Sequence, residues 1–157
     1  MYYSLLLPIA AVLAGAVVPF QGGANAALGR ALGHPLWATM MSLGVSALCL
    51  IPALVLLKVP MPVFSTLSAQ PKWIWIGGVA GVIYITAAIL LVPRLGAAGF
   101  MTAVIAGQIL ASVAIDTFGG VGLPARPMES VRLVGVLLVT LGAIAVQWPA
   151  LFRASGS

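Results

Sequence analysis

Two short stripes of polar residues lie inside otherwise apolar stretches of this chain. Gln21 and Asn25 stand four residues apart in PFQGGANAALG, and Gln108, Ser112 and Asp116 repeat that spacing in AGQILASVAIDTF. Residues four apart share a helix face, so each stripe would line one side of a helix with amide, hydroxyl or carboxyl groups. Amides and hydroxyls donate and accept hydrogen bonds without carrying charge. Such groups can line a path for a polar solute, or they can hold helices together at about 0.6–2 kcal/mol per contact; both readings stay open. Asp116 is the single acid within such a stretch. It is either a proton-coupling carboxylate or one half of a structural pair with an arginine at the rim. Beside the first stripe, Pro19 lacks a backbone donor, and Gly22 and Gly23 let a neighbouring backbone or ligand come close.

Other chemistry is absent from the pattern. The chain has no Ser/His/Asp constellation, no metal-ligand cluster and no glycine loop leading into a phosphate-binding lysine. We therefore expect no enzymatic activity, no metal and no cofactor. The GGxxG at Gly77 to Gly81 sits in an apolar run, where helix packing explains it. Cys49 is the sole cysteine, so no disulfide can form within the chain. His34, in the GHP turn, reads as a solvated turn residue or, alternatively, a pH sensor. Tyr84 and Thr86 could face a bundle interior, but their spacing does not decide it.

The elements that must carry these residues follow from composition. Of 157 residues, 62% are hydrophobic and 6% charged, against roughly 25% charged in soluble domains. Mean hydropathy is +1.21. The solvent of such a chain is lipid. The isoelectric point near 10.2 does not make it a nucleic-acid binder, because the basic residues fall singly between apolar runs and form no patch. A crossing needs about 20 mainly apolar residues, and charges and proline-rich breaks divide the chain into five such stretches, about 3–28, 36–57, 73–92, 96–116 and 131–151. The loop KVPMPVFSTLSAQPK follows the second, a tight PRLG turn joins the third to the fourth, and TFGGVGLPARPMES precedes the fifth. Tyr2, Tyr3, Trp37, Trp73, Trp75, Trp148 and Phe152 fall near the ends of these stretches, as an interfacial belt would. Backbone polar groups must be satisfied within lipid, so each stretch is a helix. The expected fold is all-α, a single five-helix transmembrane domain over 1–157. A secretory leader is the competing reading of the first stretch, with Ala24-Asn25-Ala26 as its cleavage site, but MYYS supplies no basic side chain.

Orientation is nearly undecided by charge. With five crossings, Lys58, Lys72, Arg126 and Arg132 fall on one side and Arg30, Arg94 and Arg153 on the other. An excess of one gives the positive-inside rule little to act on. Such a chain can insert both ways and pair as an antiparallel homodimer, or pair with an oppositely oriented paralogue, the divided equivalent of an inverted repeat.

The ordered segments PFQGGANAALGRALGHPLWA, KWIWIGGVAGVIYITAAILLVPRLGAA, AGQILASVAIDTFGG and RLVGVLLVTLGAIAV resemble the YdcZ-like family of small five-helix inner-membrane proteins, within the drug/metabolite transporter superfamily. The resemblance implies a multi-pass inner-membrane protein that works as half of an inverted-repeat transporter. Gly135 and Gly142, seven apart in the last stretch, are similar to the glycine-spaced dimerisation helix of small multidrug resistance transporters, which implies a dimer-packing role.

Depth adds a specific expectation. Asp116 lies roughly 31 Å beyond Leu95 at 1.5 Å per residue, at the far rim, and Gln108 about 12 Å before it. Gln21 lies about 13 Å before Arg30, at the opposite rim. Inverting a second copy brings Gln21 level with Gln108, Asn25 with Ser112 and Arg30 with Asp116; within one chain, Arg132 is the competing partner for Asp116. The resemblance implies a transporter moving a small polar metabolite by alternating access, and on that reading Gln21, Asn25, Gln108 and Ser112 line the path. A dimeric ion or solute channel and a non-transporting subunit of a membrane complex are the alternatives.

Overall fold

A computed structural model describes the backbone of residues 3–126 and 129–154, and side chains within 6–67, 69–126 and 129–148. Tyr2, and the side chains of Tyr3, Phe152 and Arg153, lie outside what is described. The described residues form four long helices: α1 (Tyr3–Leu32), α2 (Pro35–Leu56), α3 (Ile76–Phe118) and α4 (Ser130–Ala154). Each contains a segment long and apolar enough to cross a membrane. Two short 3-10 helices, Phe64–Ala69 and Lys72–Trp75, lie between α2 and α3. No strand occurs among the described residues beyond an isolated bridge pairing Gly120 with Leu123.

The helix ends follow from local chemistry. α1 runs to Leu32, one turn past the end expected from sequence, and Gly33 leaves it with φ 72°. His34 then caps α2, its Nδ1 accepting from the Leu36 amide at 3.2 Å, and Pro35 opens the helix where its missing N–H costs nothing. α2 ends in a Schellman arrangement: the Val59 amide donates to the Leu54 carbonyl and the Lys58 amide to Val55. Lys58 takes the left-handed conformation, φ 50°, that glycine usually fills.

The PRLG segment breaks the helix where the sequence places a turn. α3 is two helices that meet at a kink there, 43 residues in all, against the roughly 20 residues that one crossing needs. A single residue interrupts it: Gly96, at φ 72° and ψ 162°, in a region essentially closed to side chains. Pro93, three residues earlier, already withholds one backbone donor. The two arms, 76–95 and 97–118, are therefore separately helical.

The chain divides into two compact units. Residues 24–90 form one, and 1–23 with 91–157 the other. The core of the first holds Ala38, Ile85 and Ile89, with Leu28 and Tyr84 packed against it. Phe100 and Ala143 are buried in the second. Only 6% of the most apolar window in α1, in α2 and in α4 is buried, so most of the apolar surface is left for lipid or a second chain to cover.

Candidate functional site

The polar site begins where α1, α2 and α3 pack within the 24–90 unit. Gly29 makes that approach possible. A Cβ built on it would stand 2.6 Å from Ile89 Cγ2 and 3.8 Å from Ala38 Cβ. One turn deeper along α1 is Asn25, whose residue is 6% exposed. No described residue hydrogen-bonds its amide, whose polar atoms keep some surface, since no fully buried side-chain nitrogen or oxygen among the described residues lacks a partner. Thr86 lies three residues before Ile89, and Thr39 directly follows Ala38, so both stand close to the same level of the unit. Their hydroxyls meet at 2.9 Å. Thr39 Oγ1 also bonds the Pro35 carbonyl at 3.1 Å. A hydroxyl has one proton to give, so Thr39 donates to Pro35 and accepts from Thr86. Thr86 keeps lone pairs for another donor.

Burial along α1 explains why its two amides separate. Gly22, Asn25, Ala26 and Gly29 are the buried residues, at the i, i+3, i+4, i+7 spacing of one face. Helical geometry places Gln21 about 90° from the middle of that face, and it is exposed. Four residues on a helix advance a side chain by about 40° beyond a full turn. That offset takes Gln21 past the edge on which Asn25 still falls.

The second polar cluster stands at the rim of the other unit. Asp116, near the end of α3, forms an ion pair with Arg132 in the first turn of α4. The loop between them folds back: Gly119 and Gly122 take positive φ, Val121 joins them at 46°, and the Arg126 amide donates to the Asp116 carbonyl at 2.6 Å. A cavity of about 440 Å³ opens there, lined by Arg126, Glu129, Val131 and Arg132. From Arg132 an apolar groove of about 350 Å³ descends between α3 and α4, past Ser112 and Gly135 to Ile109 and Val139. Deeper in that unit, Gln147 Nε2 donates to the Gly99 carbonyl at 2.7 Å, which also accepts from Thr102 Oγ1 at 3.0 Å.

The sequence-derived residues therefore scatter. Asn25 is buried in one unit, and Ser112 lines the groove of the other. Gln21, Gln108 and Arg30 are exposed. Asp116 takes the within-chain partner, Arg132. Gly135 and Gly142 have nothing within 4 Å of a built Cβ, so their faces are open in the single chain. Sequence reasoning passed over Thr39 and Gln147. An amide in the last span was a readable signal for Gln147, whereas the Thr39 hydroxyl was masked by an apolar neighbourhood.

Comparison with known families bears directly on this architecture. A family model described as "Putative inner membrane exporter, YdcZ" matches residues 6–145, which includes Asn25, Thr39, Thr86, Asp116 and Arg132 but not Gln147. The chain belongs to the YdcZ family. As a YdcZ family chain with several apolar spanning helices, it is a multi-pass inner-membrane protein and a member of an exporter-type transporter family. Searches of curated proteins and of solved structures returned no match.

Proposed function

We propose that this YdcZ family chain is a half-size exporter that moves a small polar metabolite across the inner membrane by alternating access, working as an antiparallel, dual-topology homodimer. The observation that carries the transport reading is the family match over 6–145, and an exporter family is one of carriers rather than catalysts. The Gly96 break supports a five-crossing topology, since arms of 20 and 22 residues, 76–95 and 97–118, each span about 30 Å. Five crossings put the two termini on opposite faces. The near balance of basic residues between those faces then favours insertion both ways.

The site chemistry supports an uncharged or weakly charged solute. Asn25 has an unspent amide, Thr86 an unspent acceptor, and Asp116 is already neutralised by Arg132. Buried polar groups in a span default to a functional role because they are expensive to keep. Proteoliposomes holding the purified protein and a panel of neutral, anionic and cationic metabolites test the reading. Saturable, gradient-driven flux is expected, strongly reduced in Asn25→Leu. Unsaturable flux at high rate would instead make the protein a channel. Reporter fusions at the C-terminus should read out on both faces, and one face only would refute dual topology.

A further inference from the structure

The groove between α3 and α4 and the charged cavity above it share Arg132, and together they have the form of an amphiphile. We propose that they are a binding site for a single phospholipid with a zwitterionic, primary-amine headgroup, its phosphate on Arg126, its ammonium on Glu129 and one acyl chain along the groove past Gly135.

Charge accounting selects the headgroup. Four charged side chains meet at this rim, two of each sign: Arg126, Arg132, Asp116 and Glu129. Asp116 and Arg132 neutralise each other. That leaves one guanidinium and one carboxylate on the cavity wall, without an acid–base partner among the described residues. A phosphate suits a guanidinium because two parallel N–H donors can meet two oxygens. The carboxylate next to it disfavours a purely anionic headgroup and favours one carrying N–H donors. A quaternary ammonium offers the charge without those donors.

The groove fixes where the chain lies. Arg132 to Val139 spans about 10 Å, two helical turns, and from Asp116 to Ile109 the opposite wall covers the same depth. Below Arg132 the groove is apolar over this length apart from Ser112. An acyl chain leaving the bilayer for the groove gains little from hydrophobicity, because lipid tails are as apolar as leucine. Selectivity must therefore come from the headgroup, and the groove supplies register. Gly135 keeps it open: a Cβ built there meets nothing within 4 Å, so a larger side chain enters the groove without strain.

The test is lipid retention by the full-length protein in mild detergent, offered equal amounts of phosphatidylethanolamine, phosphatidylcholine and phosphatidylglycerol and read by native mass spectrometry. Wild type should retain the ethanolamine lipid over the other two by roughly fivefold, what one partly solvated ion pair supplies. Glu129→Gln should abolish the preference of ethanolamine over choline. Arg126→Gln should weaken retention of all three. Gly135→Leu should also lose all three, whereas Gly142→Leu, which lies outside the groove, should keep them; equal loss in both would show that the face packs a second protein copy and would overturn the proposal. Strongest retention of phosphatidylglycerol, or an ethanolamine preference untouched by Glu129→Gln, would overturn it as well. The Gly135→Leu result also separates a lipid from a soluble phosphate ester, which would ignore the groove.

Discussion

Replacing Gly29 by alanine should force α1 away from α3 at the level that positions Asn25. The added methyl would sit 2.6 Å from Ile89 Cγ2, about 1 Å inside the favourable carbon–carbon distance of about 3.5–4.0 Å. Ile89 cannot easily yield. It is β-branched, with one strongly preferred helical rotamer, and it is 6% exposed within the cluster that includes Ala38 and Ile85. The strain must go into the backbone, at the usual overpacking cost of about 1–3 kcal/mol. For a chain of this size each 1 kcal/mol moves the unfolding midpoint by about 2–4 °C, so Gly29→Ala should lose about 2–12 °C in tryptophan-monitored melting of the detergent-solubilised protein. Ile89→Ala removes the offending Cγ2 and leaves Ile89 Cβ 4.0 Å from the new methyl, an ordinary contact. The double variant should therefore be more stable than the sum of the single effects by at least about 1 kcal/mol. Gly23→Ala is the control, since nothing stands within 4 Å of its built Cβ and alanine is the better helix former by about 1 kcal/mol. A Gly29→Ala protein that melts with wild type, or one that Ile89→Ala fails to relieve, would refute the packing argument.

Three further outcomes are expected. Gly96→Ala places a side chain at φ 72° and ψ 162° and should cost about 1–3 kcal/mol, seen as a lower melting midpoint, whereas Gly107→Ala, in open space within a helix, should not. Gln147→Leu should cost about 0.6 kcal/mol in chemical unfolding, the low end for an intramembrane hydrogen bond, because Thr102 still holds the Gly99 carbonyl. Asp116→Arg should destabilise by setting two guanidinium groups together, and Arg132→Asp added to it should recover most of a loss of about 1 kcal/mol, since the pair is partly exposed, at 43% and 20%.

How much of this was legible depended on range. Helical segments and their rough limits followed from composition, because lipid leaves the backbone few options. The position of the break at Pro93 to Gly96 was legible from residue types, because Pro and Gly together disfavour a continuing helix; its narrow form, a single non-helical residue at Gly96, was not. The within-chain Asp116–Arg132 pair was readable as one of two depth-matched options. The Thr39–Thr86 contact spans 47 residues and rests on how three helices rotate about their axes. The same rotation separates buried Asn25 from exposed Gln21, and a four-residue spacing cannot express it.

That rotation also bears on what a solute would meet. An Asp116 carboxylate standing alone would be available to bind a cation or carry a proton, and the exporter would then have a fixed charge to spend on coupling. Held by Arg132, with the loop folded back so that the Arg126 amide also donates to the Asp116 backbone, the carboxylate is committed to joining α3 to α4. Within the 24–90 unit, Asn25 and Thr86 still hold unspent hydrogen-bonding capacity. Such a pair discriminates by the pattern of donors and acceptors rather than by charge. Each such contact that a solute makes or misses changes its preference by roughly tenfold per 1.4 kcal/mol. On the exporter reading proposed above, hydrogen-bonding groups of this kind would select a substrate by where its hydroxyl, amide or carbonyl groups lie, and Asp116 serves to hold α3 to α4.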